Sequence, residues 1–176
     1  WDVSNAKIEN TEIEIIGNNF ETEKFNTSCV EVSNDFNEKN DFLIETSIHF
    51  TKKGTLNNGS GLIFFSDKYN NNFYAFNINR GGFWNINFSS RTSTSDKYID
   101  DFLHYDYGST KCINKGLYSQ NKLKILKISD NFKFYINDKL VFIEPAKNFK
   151  KYGNYFGYIT YERNIIKSTY FNIENL

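Results

Sequence analysis

The chain has 176 residues, the length of one domain with a single core, so we predict one domain over residues 1–176. Lys plus Arg and Asp plus Glu balance at 21 each, so the chain lacks the net positive field that attracts nucleic acids and anionic membranes. No window approaches the roughly 18 apolar residues of a membrane span, so we expect neither nucleic acid nor membrane insertion.

The composition also predicts an all-β core. The chain has 18 phenylalanines and 12 tyrosines but one proline and no methionine. A composition rich in aromatic residues and poor in proline suits strands better than helices. The sequence starts at Trp1 without methionine, so we expect a processed product or a module of a larger protein. An extracellular or cell-surface location is slightly favoured, and the oligomeric state stays open.

Residues 1–40 predict two weak, short terminal strands at sheet edges. Ile13 and Ile15 alternate with Glu12 and Glu14, and outward charges discourage an exposed edge from pairing with another molecule. A second short strand is predicted around Val30.

A clearer strand is predicted from Phe42 to Phe50, because apolar and polar side chains alternate with a period of two. One face carries Phe42, Ile44, Ile48 and Phe50. The other face carries Leu43, Glu45, Ser47 and His49, so this sheet has one solvated face. The segment 62–65 is apolar on both faces, as expected of a central strand.

Residues 73–88 predict a β-hairpin whose register follows from its apolar residues. The residues that must share one face are Tyr74, Phe76, Ile78, Trp84, Ile86 and Phe88. A two-residue turn would slip the register by one and expose half of this set. We therefore predict a three-residue loop at 80–82, with Gly82 left-handed. Ile78 then pairs with Trp84, and Asn77 pairs with Asn85.

Residues 89–120 are predicted to be an insertion or long loop. A short helix capped by Ser95 and an extended arm are equally compatible with the segment. Phe102, Tyr105 and Tyr107 favour packing over a binding role for this loop.

Residues 121–143 predict a β-meander, with three apolar runs separated by turn residues. Asn137-Asp138 is the turn of a two-residue hairpin, since Asn and Asp tolerate left-handed backbone. This turn pairs Tyr135 with Leu140 and Phe134 with Val141. One face of the meander is apolar, so a second sheet must cover it.

The chain closes with a strand that ends at Glu144-Pro145, a loop at 148–154, and strands at 155–161 and 168–173. The last of these is expected beside an early strand. The fold prediction is therefore an all-β, two-sheet antiparallel β-sandwich. Its predicted core is Phe42, Ile44, Ile48, Phe64, Phe76, Ile78, Trp84, Ile86, Leu123, Ile125, Phe134, Ile136, Val141 and Ile159.

Several strand motifs over about residues 40–176 resemble the concanavalin A-like (laminin G-like) jelly-roll family. They are Gly61-Leu-Ile-Phe64, Asn121-x-Leu123-x-Ile125, Phe134-Tyr-Ile-Asn137, Phe156-Gly-Tyr158 and Phe171-x-Ile173. The resemblance implies two antiparallel sheets, one of them concave. Members of the family include lectins, carbohydrate-binding modules, glycosidases and adhesion domains, so the resemblance indicates a fold more than an activity.

No residue pattern predicts a catalytic site. Glycosidases of this family place acids at alternate positions of one strand, and here only Glu12 and Glu14 alternate, without a third acid. Asp100 and Asp101 are adjacent and point apart if extended. The two histidines, His49 and His104, have no recognisable nucleophile nearby, so we predict no enzyme activity and no catalytic residue.

No cofactor is predicted either. Asp67 with the asparagines at 70–72 has the oxygen atoms of a calcium loop, but a plain turn is the preferred interpretation and no motif supports a metal. Cys29 and Cys112 lack zinc spacing and form either two free thiols or one disulfide.

The remaining candidate is a solvated face that binds a ligand. Its predicted residues are Asn77, Asn79, Asn85, Asn87 and Phe83, with Glu45 and His49 at the margin. Amides both donate and accept hydrogen bonds and the Phe83 ring offers stacking, as a sugar requires. The leading hypothesis is a non-catalytic carbohydrate-binding module within a larger or processed protein. The alternatives are an adhesion or structural domain that binds another protein and, third, a glycosidase-like enzyme.

Overall fold

The computed structural model describes residues 6–16, 25–31, 39–52, 59–69, 71–91, 98–106, 110–161 and 164–176. They form two six-stranded sheets in which every neighbouring pair of strands is antiparallel. The two sheets pack their apolar faces together, so the predicted two-sheet antiparallel β-sandwich is confirmed.

The first sheet, sheet A, has the strand order β1-β12-β3-β8-β9-β10. Its strands are β1 (Ala6–Ile16), β3 (Phe42–Lys52), β8 (Asn121–Ile128), β9 (Asn131–Ile136), β10 (Lys139–Pro145) and β12 (Ile165–Asn175). The second, sheet B, has the order β2-β11-β4-β5-β6-β7. Its strands are β2 (Phe25–Glu31), β4 (Ser60–Ser66), β5 (Asn72–Ile78), β6 (Trp84–Arg91), β7 (Tyr98–Asp106) and β11 (Tyr155–Tyr161).

The strands β1 and β2 lie at sheet edges, as expected, although β1 is 11 residues long and so is not short. The last strand, β12, pairs with β1 and β3, which confirms its predicted place beside early strands. Helical structure within the described residues is a single 3-10 turn at Ala146–Asn148. No helix in that part of the chain has the length and apolar character to span a bilayer.

The core between the sheets contains nearly all of the predicted residues. Phe64, Phe76 and Phe134 are fully buried, and the Phe76 and Phe134 rings meet edge-to-face with centroids 5.2 Å apart. Val141 is only half-buried at the rim of this core. Ile159 is buried in a separate, smaller cluster of Ile63, Phe73 and Ala75, whose side chains alternate with the core residues of sheet B.

The hairpin of β5 and β6 has the predicted register. Ile78 pairs with Trp84, Asn77 pairs with Asn85, and Phe76 pairs with Ile86 on the core face. The Asn79 N–H donates to the carbonyl of Phe83 at 2.9 Å, which closes the three-residue loop at 80–82. Gly82 has φ +93°, so it is the residue that adopts the left-handed backbone.

The meander is confirmed, with one correction in its second hairpin. Asn137 and Asp138 have φ 50° and 62°, as a primed turn requires, and Tyr135 pairs with Leu140 as predicted. A β-bulge at Val141 then makes Phe142, and not Val141, the partner of Phe134. Because of this extra residue the side chain of Phe142 faces the core, where its ring centroid lies 6.4 Å from that of Phe134. Ile143, the next residue, is exposed.

Of the two predictions for this part of the chain, a short helix or an extended arm, the extended one is right for residues 98–106, which form β7 and pair with β6. A helix over this range is therefore wrong, while Ser95, its predicted cap, lies outside the described residues. Residues 110–120 contain no strand. The Thr110 N–H donates to the Gly82 carbonyl in the β5–β6 loop at 3.0 Å, and the Tyr118 N–H donates to the Phe50 carbonyl of β3 at 2.8 Å.

Candidate functional site: a polar depression on sheet A

The outer face of sheet A has a polar depression of about 780 Å³. Its floor is Ser47 of β3, which lies in register between Lys122 of β8 and Tyr170 of β12. Because serine is short and its two neighbours are long, this row of side chains is lowest at its centre. The lining residues are Ser47, Asn114, Lys115, Ser119, Gln120, Lys122, Asn137 and Tyr170.

The wall of the depression is the segment 110–120, and Asn121 holds it in place. The Oδ1 of Asn121 accepts the Asn114 N–H at 2.8 Å, and its Nδ2 donates to the carbonyls of Asn114 at 2.9 Å and Ser119 at 3.1 Å. Asn121 is buried at the start of β8, so its amide satisfies backbone groups that no strand partner reaches.

A second asparagine, Asn137, joins the same wall to the β9–β10 turn. Its Nδ2 donates to the carbonyl of Cys112 at 2.7 Å and to Oδ1 of Asn121 at 3.0 Å. Its Oδ1 accepts the Lys122 N–H at 2.8 Å. The Asn137 amide is therefore committed to protein partners, and its part in the depression is to fix the wall.

A charged group lies at one end of the depression. Nζ of Lys122 is 2.9 Å from Oε2 of Glu45 and 3.3 Å from Oδ1 of Asp138, and the Tyr170 hydroxyl donates to Oε1 of Glu45 at 3.1 Å. The hydrogen bond from Lys122 to Glu45 raises the pKa of Lys122. The pKa of Tyr170 is raised mainly by burial and, to a smaller extent, by the negative charge of Glu45. At neutral pH Lys122 is therefore charged and Tyr170 is a neutral phenol.

The other end of the depression offers polar atoms that are exposed. Gln120 and Lys115 are exposed, and Gln120 Nε2 approaches Oγ1 of Thr169 at 3.4 Å across β3. The Ser119 hydroxyl donates to the carbonyl of Lys115 at 2.8 Å, and its oxygen can still accept a hydrogen bond. Amide, hydroxyl and ammonium groups thus surround one aromatic ring, that of Tyr170.

The structure does not form the single solvated face that the sequence predicted. Asn77, Asn85 and Asn87 belong to sheet B and Asn79 to its β5–β6 loop. Glu45 and His49 belong to sheet A, on the opposite side of the sandwich. Asn77 is 2% exposed and Asn87 is 1% exposed, so these amides are buried, not solvated. Ser47, predicted on the same face as Glu45 and His49, is the floor of the depression.

The sheet B asparagines bond mainly to one another. Nδ2 of Asn77 donates to Oδ1 of Asn85 and to Oδ1 of Asn87, both at 3.0 Å, and Asn87 Nδ2 donates to the Ser89 hydroxyl at 2.9 Å. The ladder pairs the buried Nδ2 groups of Asn77 and Asn87 with acceptors on their own sheet, whereas the buried Oδ1 of Asn77 has no hydrogen-bond partner among the described residues. Ligand binding by this group stays a prediction.

Asn79 and Phe83 belong to the hairpin loop at the end of sheet B. Oδ1 of Asn79 accepts the N–H groups of Gly81 at 2.9 Å and Phe83 at 3.0 Å, so its side chain shapes the turn. Phe83 is half-buried beside it. No pattern in the sequence pointed to Gln120, Lys122 and Tyr170 as neighbours, because they meet only through long-range strand pairing.

Asp67, the carboxylate considered for a calcium loop, forms hydrogen bonds within its own turn. Asp67 Oδ1 accepts the N–H groups of Tyr69 and Asn71, and Oδ2 accepts the N–H of Asn72, so this carboxylate builds the plain turn. Within the described residues, no group of three or more His, Cys, Asp and Glu side chains could hold a metal ion. Cys29 and Cys112 are free thiols.

No family model matches this chain, and no curated protein matches it either. Solved structures do. The carbohydrate-binding module CBM66 from Bacillus subtilis is 14% identical, with a TM-score of 0.54, over 95% of this chain and 94% of that one. The binding domain of botulinum neurotoxin DC, solved in complex with SialylT, is 19% identical, with a TM-score of 0.53, over 98% of this chain and 43% of that one.

The botulinum neurotoxin serotype D binding domain is also similar, with 14% identity, a TM-score of 0.51 and coverage of 96% of this chain and 47% of that one. The chain thus spans less than half of each toxin domain but nearly the whole of the carbohydrate-binding module. At these identities the likeness shows the fold alone, an all-β jelly-roll sandwich, as predicted.

Proposed function

We propose that this chain is a non-catalytic carbohydrate-recognition module of the concanavalin A-like kind, and that it binds glycan in the depression on sheet A. The observation that carries this is the depression itself: amides, hydroxyls and ammonium groups surround the Tyr170 ring above a serine floor. The module CBM66, which this chain matches over almost its whole length, is named for carbohydrate binding.

The lining chemistry suits neutral sugar hydroxyls. A sugar offers a rim of donors and acceptors with a less polar face of C–H groups, and the depression pairs Gln120 and Ser119 with one aromatic side chain. Each such hydrogen bond contributes about 0.5–1.5 kcal/mol net, because it replaces a bond to water. Three or four of these bonds and one stacked ring correspond to a dissociation constant of roughly micromolar to millimolar.

Binding should need neither a metal ion nor a dominant charge pair. The Glu45 carboxylate forms an ion pair with Lys122 and accepts a hydrogen bond from Tyr170. Its negative charge is therefore already compensated by protein groups. We therefore expect the affinity for a neutral oligosaccharide to be unchanged by EDTA and nearly unchanged between low and physiological salt.

A protein ligand is the second candidate. Among the described residues, Leu140 and Ile143 are exposed large apolar side chains on the same edge strand, β10. A flat apolar surface of several hundred Å² is typical of a protein partner, and two residues provide less than that. This observation favours glycan over a protein ligand.

The test is an NMR titration of the chain with a panel of neutral oligosaccharides. We expect the side-chain amide of Gln120 and the backbone amides of 114–120 to shift, and Gln120→Ala to weaken binding roughly two- to ten-fold. Asn85→Ala on sheet B is the matched variant and should bind as the wild type does.

The opposite pattern, with loss in Asn85→Ala and none in Gln120→Ala, would move the site to the asparagines of sheet B. If no sugar shifts any amide at tens of millimolar while a protein partner shifts those of β10, the glycan proposal fails. The adhesion alternative then replaces it.

A further inference from the structure

In β12 the alternation between side chains that face the core and side chains that face outward shifts by one residue half-way along the strand. Ile166 and Ser168 point into the core, and so do Phe171 and Ile173, which a regular strand would not allow. The change occurs at a β-bulge between Ser168 and Tyr170, where β12 has one residue more than β3. Because of this bulge Tyr170 faces outward and lines the depression.

Three buried hydroxyl groups surround the bulge. The Tyr170 carbonyl oxygen lies 2.6 Å from Oγ1 of Thr46, 2.9 Å from Oγ of Ser168 and 3.2 Å from the Tyr158 hydroxyl. The hydroxyls also contact one another, at 2.8 Å between Thr46 and Tyr158 and at 2.6 Å between Tyr158 and Ser168. We call Thr46, Tyr158 and Ser168 the hydroxyl cluster.

The cluster links the two sheets. Thr46 and Ser168 belong to sheet A, while Tyr158 belongs to β11 of sheet B and reaches across the core. Three hydroxyls carry three protons, and the contacts accommodate all of them: Thr46 and Ser168 each donate to the Tyr170 carbonyl, and Tyr158 can donate to the Ser168 oxygen. Removal of one hydroxyl therefore leaves a buried acceptor or donor without its partner.

The same arrangement connects the interior to the depression. The carbonyl oxygen of Tyr170 accepts a hydrogen bond from the hydroxyl cluster inside the sandwich. The hydroxyl of the same residue donates to Glu45 on the outer face. In a regular strand the Tyr170 ring would point into the core and Phe171 would point outward. The orientation of the one aromatic side chain in the depression thus depends on the bulge that the cluster stabilises.

We propose that Tyr158, together with Thr46 and Ser168, is a positioning residue for the glycan site. The cluster holds the β12 bulge so that the Tyr170 ring stands in the depression, ready to stack on a sugar. This inference rests on the proposed function for its ligand, but the orientation of Tyr170 can be measured without any ligand.

The experiment uses Tyr158→Phe, which removes one buried hydroxyl and keeps the ring. Its matched control is Tyr74→Phe, because Tyr74 is an equally buried core tyrosine whose hydroxyl accepts the Lys150 N–H at 2.9 Å, on a different part of the core. The readouts are the ring signals of ¹³C-labelled Tyr170, the pH titration of its phenol, and the affinity for the best oligosaccharide of the panel.

We expect Tyr158→Phe to shift the Tyr170 ring signals, to change its titration, and to weaken sugar binding roughly five-fold, the loss of about one hydrogen bond. Tyr74→Phe removes one hydrogen bond from another part of the core and should leave all three readouts as in the wild type. If both variants change binding equally, or if neither moves the Tyr170 ring, the positioning role is overturned.

A second pair of variants covers the case that Tyr158→Phe does not fold. Thr46→Val removes the cluster hydroxyl with little change of shape, and Thr46→Ser restores it. We expect Thr46→Val to shift the Tyr170 ring and Thr46→Ser to match the wild type, and equal shifts in both would overturn the inference. Should the wild type bind no sugar, the proposed function fails, while the ring signals still decide whether the cluster positions Tyr170.

Discussion

The side chain of Asn121 and the backbone of Asn114 form a two-way bridge. The Asn114 N–H donates to Oδ1 of Asn121 at 2.8 Å, and Nδ2 of Asn121 donates back to the Asn114 carbonyl at 2.9 Å. A side-chain amide can make this pattern because it offers the same donor and acceptor as a peptide group. The bridge attaches the wall of the depression to the first residue of β8.

Asn121→Ala should therefore release the wall and destabilise the chain. The variant leaves the Asn114 N–H and the Asn114 and Ser119 carbonyls without this partner, and we expect a loss of about 2–3 kcal/mol in the free energy of unfolding. Urea denaturation gives this value, and hydrogen exchange at the Asn114 amide should become faster. Asn131→Ala, at an exposed position of the same meander, is the control, and an equal loss in both variants would contradict the bridge.

Phe134 is the centre of the aromatic core, and Phe134→Ala tests the packing of the two sheets. Its ring lies 5.2 Å from that of Phe76 and 6.1 Å from that of Phe64, both of which belong to sheet B. The cavity left by alanine should cost about 3–5 kcal/mol in denaturant melts. Tyr69→Ala, at a side chain that is 73% exposed, should stay within about 0.5 kcal/mol. A loss below about 1 kcal/mol for Phe134→Ala would place this ring outside the core.

Gly61 should not tolerate alanine. A Cβ atom at this position would lie 1.9 Å from the carbonyl oxygen of Phe76 on the neighbouring strand β5, and backbone cannot move away without breaking the pairing of β4 with β5. We expect Gly61→Ala to cost more than about 3 kcal/mol or to prevent folding, as strong overpacking does.

The control for this glycine is Gly116→Ala, which adds backbone strain without a clash. Gly116 has φ +100°, and the nearest atom to its added Cβ is Oγ of Ser119 at 3.8 Å. Strain of this kind costs on the order of 1 kcal/mol. Thermal melts of the two variants separate the effects, and a Gly61→Ala protein as stable as Gly116→Ala would refute the close approach of β4 and β5.

The strands were predictable wherever one face of a sheet is buried. The register of β5 and β6 follows from the requirement that Phe76 and Ile86 share the core, and this one condition selected the three-residue loop. The turn at Asn137-Asp138 followed from local backbone chemistry in the same way.

Bulges were not predictable, because an extra residue in a strand leaves little trace in the composition. After the bulges at Val141 and Ser168, the residues that follow point to the opposite face of the sheet from the one that regular alternation gives. Alternation alone would therefore have placed Phe142 and Tyr170 on the wrong faces. These two shifts determine which aromatic side chains enter the core and which enter the depression.

The depression on sheet A was not predicted, for a related reason. Ser47, Lys122 and Tyr170 become neighbours only because β3 lies between β8 and β12, and that order depends on long-range pairing. The asparagines of sheet B were placed in solvent because they are polar, yet Asn77 and Asn87 are buried and bond to each other. The Nδ2 group of Asn77 finds acceptors on the neighbouring strand, so this donor is buried without being left unpaired.

The thiol of Cys29 makes stability depend on pH above neutrality. Burial raises the pKa of Cys29 from 9.0 to about 12, because the apolar surroundings disfavour the thiolate. In the unfolded chain the thiol loses its proton near pH 9, so between about pH 9 and 12 the unfolded state binds fewer protons than the folded state. Stability is therefore complete below about pH 9 and falls as the pH rises through this window.

Cys29→Ala should reduce this dependence. We expect wild-type stability, measured by urea denaturation at pH 8, 9, 10 and 11, to fall with a slope of up to about 1.4 kcal/mol per pH unit for this one group. Tyr74, Tyr158 and Tyr170, whose pKa values burial also raises, add to the fall at the upper end of the range.

The comparison of slopes is independent of the stability that Cys29→Ala loses through packing. Cys112→Ala is the matched control, since Cys112 is the other free thiol and packs at the rim of the main core. We expect the slope between pH 9 and 10 to become shallower in Cys29→Ala and to stay as steep in Cys112→Ala. If the two variants fall in parallel with the wild type, deprotonation of Cys29 does not drive the alkaline loss, and the buried tyrosines account for it.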